Sequence, residues 1–84
     1  MSNVHEEITR HSKKQHEIVK KFIELEQMRE SFIEQAISLA KENKPFDVSA
    51  INNVTKQINE HAKNGIVPTR KYVTEEMVKE YVNK

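Results

Sequence analysis

Between Val4 and Asn43 the chain has neither glycine nor proline and is rich in Glu, Lys, Gln, Leu and Ala, residues that lose little freedom in a helix. The apolar positions Ile8, Ile18, Phe22, Leu25, Phe32, Ala36 and Leu39 advance by threes and fours once His11, Gln15 and Arg29 fill the gaps. This spacing predicts one long helix over residues 3–43, with a seam of period near 3.5. From Ile18 onward Val19, Ile23, Ile33, Ile37 and Ala40 widen the stripe, so the C-terminal half reads as a core helix and the N-terminal half as a polar arm. Asn3 and Glu6 have the spacing of a capping box. At the other end Asn43 tolerates the left-handed cap conformation, and Lys44, which precedes Pro45, is pushed out of the helical region. The alternative is a break near Ser12, where "SKKQ" could cap a new helix.

A second helix, residues 47–64, starts at Asp47 as N-cap, with Phe46 and Ile51 placed as a hydrophobic staple. Ile51, Val54, Ile58 and Ala62 mark its buried face, and Asn64-Gly65 ends it, glycine supplying the positive φ of the position past the cap. The third helix, residues 74–83, repeats the logic with Thr74 as cap, Val73 and Val78 as staple, and Met77, Val78, Tyr81 and Val82 as the apolar side. "GIVPTRKYV" between them is proline-marked and reads as a loop.

The short connection from Lys44 to Phe46 makes helices one and two antiparallel neighbours. A helix of about 40 residues is about 60 Å long and one of about 16 residues only about 24 Å, so the second cannot cover the first. Helix one either projects as a bare arm or is covered by a second copy. The expected architecture is an all-α helical hairpin or small bundle, residues 1–84 forming one domain completed by dimerisation. Ile8, His11, Gln15, Ile18 and Phe22 are the candidate oligomer interface.

Composition sharpens this picture. Eighty-four residues with 36% apolar content allow one modest core, which favours sharing a core between copies. Fourteen Lys and Arg against 13 Asp and Glu give a net charge of +1, unlike the strongly basic footprint of a general nucleic-acid binder. The absence of cysteine excludes disulfides, thiolate ligands and a cysteine nucleophile and fits a reducing compartment. No apolar run suits a signal peptide or a membrane span, so a cytoplasmic setting is expected.

Candidate chemistry is sparse. His5, His11 and His16 are six and five residues apart, whereas a helical chelate needs spacings of three or four. Glu7 and His11 do stand four apart, and His61 could approach from helix two, which leaves a metal-dependent activity as a third-ranked reading behind a solvated one. Arg10, Lys13, Lys14, Lys20 and Lys21 make the arm basic, while Glu24, Glu26, Glu30, Glu34 and Glu42 make the rest of the helix acidic. That polarity suits antiparallel pairing of two copies as well as it suits a polyanion. Arg70 and Lys71 could add to a polyanion site; the simpler reading anchors the loop through Tyr72 against helix one, with both cations in water or paired to its glutamates. The Phe22, Met28 and Phe32 region reads as core or interface. No glycine-rich phosphate loop, nucleophile elbow or zinc-protease helix occurs, so no enzymatic step and no cofactor are expected.

Taken together, "MSNVHEEITRH", "NKPF" and "GIVPTRKYVTEEMV" resemble the YpbS-type family of small uncharacterised proteins from spore-forming bacilli, over nearly the whole chain. The resemblance implies a bacterial cytoplasmic setting and assigns no catalytic or binding role to any residue. The expected function is interaction or scaffolding as a homodimer, or with another protein. Binding of nucleic acid or another polyanion through the basic arm is the alternative.

Overall fold

The structure, a computed structural model, describes the backbone of residues 2–83 and the side chains of residues 13–83. Helix α1 runs Ser2–Lys41, α2 Ser49–His61 continued by a 3-10 turn Ala62–Asn64, and α3 Glu75–Val82. The all-α expectation holds among the described residues, and α1 passes Ser12 without a break. The possible capping pair Asn3 and Glu6 lies outside the described side chains.

Each helix end is written locally. The Lys44 N–H donates to the Leu39 carbonyl at 2.9 Å and the Asn43 N–H to the Ala40 carbonyl at 3.1 Å, the paired bonds of a Schellman cap, with Asn43 at φ 59°. The N-cap of α2 is Val48, one residue past the expected Asp47, and no side chain caps it; Asp47 Oδ1 instead accepts from the Ser49 N–H at 2.9 Å, a local turn that leads into a helix starting two residues later than expected. Gly65, at φ 81°, closes the 3-10 turn, and the Thr74 side chain caps α3 by accepting from the Met77 N–H at 3.2 Å.

Two apolar clusters share the space between α1 and α2. Leu25, Val54 and Ile58 are buried together at one end, with Phe22 packed against them. Ala36, Ile51, Val73 and Val78 form the other, joined by Ile33, Ile37 and Phe46. Phe32 touches both and bridges them. Of the seam read from the sequence, Phe22, Leu25, Phe32 and Ala36 pack in these clusters, while Gln15 is exposed and Ile8 and His11 lie outside the described side chains; the Phe46–Ile51 and Val73–Val78 staples both fall inside the second cluster. The flanking stripe is only partly used. Ile33 and Ile37 pack, whereas Val19 and Ile23 are 39% and 48% exposed and Met28 also faces solvent. On α3, Val78 is buried but Met77 and Tyr81 are exposed, because the short helix has one neighbour and buries one line of residues.

The molecule measures 64 × 20 × 18 Å. At 1.5 Å per residue the 13 residues of α2 reach about 20 Å, a third of the length of α1. Residues Lys13 to Glu17 of α1 are all exposed, so the helix runs past the core at its N-terminal side.

Candidate functional site

Residues 66–74 cross from α2 to α3 as a strap without regular secondary structure, yet its backbone groups need partners where they are covered. Two asparagines on one line of α2 supply them. Asn52 Nδ2 donates to the Val73 carbonyl at 2.9 Å while its Oδ1 accepts from the Val73 N–H at 2.8 Å. Asn59 treats Arg70 the same way, at 3.1 and 2.8 Å. Each amide thus pairs with both polar groups of one residue, as a neighbouring β-strand would.

Arg29, one of the polar residues in the α1 seam, completes the attachment. Its guanidinium donates from Nε to Thr55 Oγ1 at 2.8 Å and from a terminal nitrogen to the Lys71 carbonyl at 2.9 Å. Thr55 is fully buried; its hydroxyl donates to the Ile51 carbonyl at 2.9 Å and accepts from Arg29, so the core holds a satisfied polar group. A single arginine therefore ties α1 to α2 and to the strap.

The cations separate into two settings. Arg70 lies over the Phe22 ring, 5.4 Å from its centroid, and donates from Nε to Glu26 Oε1 at 2.6 Å, so it is committed to the fold. Lys71 projects into solvent while its carbonyl is held. Lys13, Lys14, Lys20 and Lys21 are exposed on α1, where seven-residue spacing aligns Lys13 with Lys20 and Lys14 with Lys21 in two rows that do not converge on Arg70. Arg10 lies outside the described side chains. The expected Tyr72 anchor is not found: Tyr72 is 52% exposed, and buried Val67 and Val73, with the asparagine pairs, hold the strap instead.

Of the metal reading, Glu7 and His11 lie outside the described side chains. His61 is occupied, its Nε2 donating to the Ile18 carbonyl at 2.8 Å, which fixes the proton on that nitrogen. His11 stands seven residues, about 10 Å of helix rise, beyond that contact. Among the described residues no group of three His, Cys, Asp or Glu is placed to hold a metal ion.

Of the interface residues read from the sequence, Gln15 is exposed, while Ile18 and Phe22 are half-buried and Phe22 packs within this chain. Ile8 and His11 lie outside the described side chains. The exposed apolar surface of α1 sits one residue further round the helix, at Val19 and Ile23. Further along α1, beyond Glu26 and Glu30, a groove of 420 Å³ lies between α1 and α3, where Ile33, Ile37, Met77 and Tyr81 are apolar and Glu30 and Glu34 acidic. No helix among the described residues is long and apolar enough to cross a membrane.

The sequence matches the family described as "Protein of unknown function (DUF2533)" over residues 2–84. The chain belongs to this family. It is 51% identical over 84 residues to "Uncharacterized protein YpbS" of Bacillus subtilis (strain 168), covering all of this chain and 99% of that protein. The family resemblance drawn from the three quoted stretches is thereby established, and neither description prints an activity, ligand or partner. No solved structure matches.

Proposed function

We propose that this chain is a protein-interaction or scaffolding module that works as a homo-oligomer in the cytoplasm and carries out no enzymatic step. The observation that supports the reading is the mismatch between α1 and its cover: α1 spans 40 residues, α2 spans 13, and the side chains from Lys13 to Glu17 are exposed. Such a helix is a surface for another chain. Sedimentation or light scattering across a concentration series, at low and high salt, tests it; a dimer mass is expected, and a monomer at every concentration would overturn the homo-oligomer.

The exposed lysine rows support a second reading, binding of a nucleic acid or other polyanion. Counterion release makes such binding fall steeply with salt. Titration with DNA and RNA at low salt decides it, because negligible binding there removes this reading.

A further inference from the structure

On α1 the residues Val19, Ile23, Glu26, Glu30, Ile33 and Ile37 follow steps of four, three, four, three and four. They form a second seam, next to the one that packs on α2. Continued toward the N-terminus, the same rule takes in His16. Val19, Ile23, Glu30 and His16 are exposed, and Ile33 and Ile37 line the groove under Met77 and Tyr81.

We infer that this second seam seats the same seam of a second copy, antiparallel, with the two-fold axis crossing α1 beside residue 21. The inference rests on the homo-oligomer reading above and specifies its surface. Residues whose numbers sum to 42 then face each other across the axis. Val19 meets Ile23 of the second copy, and Ile23 meets Val19, so the two most exposed apolar residues of the seam cover one another at its centre. His16 meets Glu26, whose Oε1 is held by Arg70 and whose second oxygen is left to accept. Lys13, on the rim, comes within one residue of Glu30.

Length argues for the same occupant. Residue 21 is the middle of a helix that runs Ser2–Lys41, so this axis overlaps two α1 helices almost end to end. By the same sum, Lys13 to Glu17, which α2 leaves uncovered, are carried alongside residues 25–29 of the second copy, up to the edge of the groove walled by α3. The basic part of each helix thereby lies along the acidic part of the other. An isologous pair of this kind closes on itself and leaves no second copy of the groove open for further addition.

The full-length chain tests this directly. Val19→Arg and Ile23→Arg place a cation at the centre of the pair but at exposed positions of the single chain, so circular dichroism should still show a folded helical chain with a cooperative melt, whose midpoint falls only by what dimerisation contributes. The dimer dissociation constant from sedimentation equilibrium should rise by about 30-fold or more. Because the chain has no cysteine, Val19→Cys/Ile23→Cys offers an independent readout, and oxidation should give a covalent dimer. The wild-type dimer should also have a maximum dimension in solution scattering close to the 64 Å of one chain. Folded arginine variants that dimerise as tightly as wild type would refute this surface and leave the homo-oligomer standing. A wild-type chain that stays monomeric would refute both.

Discussion

At the scale of single residues, the strap depends on amide groups whose two ends do different work. Asn52→Asp keeps the oxygen that accepts from the Val73 N–H but sets a second oxygen against the Val73 carbonyl, where Nδ2 now donates. The expected cost is about 1–3 kcal/mol, with faster hydrogen exchange at the strap amides and little change in the Leu25–Val54–Ile58 cluster. Arg29 and Thr55 form a second test. Thr55→Val leaves Arg29 Nε without its acceptor, and Arg29→Met leaves the hydroxyl its bond to the Ile51 carbonyl but removes the tie to the strap. In a double-mutant cycle the pair should cost less than the sum of the singles, with a coupling of about 1 kcal/mol read from chemical denaturation. Additive losses would mean that the two groups do not act together.

At the scale of elements, Phe32 is the side chain that joins the two apolar clusters of the hairpin. Phe32→Ala should lower stability by about 3 kcal/mol, measured by urea unfolding, because both clusters lose a common wall. For a chain of this size that is a large share of a total of about 4–12 kcal/mol. The helices were legible in the sequence because their signals are local. Apolar spacing located the packed part of the α1 seam, and the end signals at Asn43, Gly65 and Thr74 act within a few residues of themselves, while the cap read at Asp47 falls one residue short of Val48. The strap was not legible, since Asn52 and Val73 are separated by 21 residues and nothing in either neighbourhood announces the other. A signal did exist. Asn52 and Asn59 stand seven apart beside the buried line of Ile51, Val54 and Ile58, where polar side chains need partners. Tyr72 does not anchor the strap, because its fixed points are peptide groups and two valines, and these leave the ring 52% exposed.

At the scale of the whole molecule, elongation is the property that any function has to use. The radius of gyration over Cα atoms is 17.7 Å, whereas a compact chain of this length would have about 12 Å. Scattering from a sample diluted to the monomer should therefore return a value near 18 Å, and one near 12 Å would mean that α1 bends back on the core. The core sits towards one end, so the molecule is a long helix with a short body attached to it. How that body stays closed has a consequence for its history. The asparagines of α2 hold the main chain of the strap and ignore what it carries, so substitutions at Lys71 or Tyr72 leave the clasp intact. Among descendants of one ancestral gene, the outward letters of the strap can drift while Asn52 and Asn59 are kept, and a new binding specificity could be written there without rebuilding the fold.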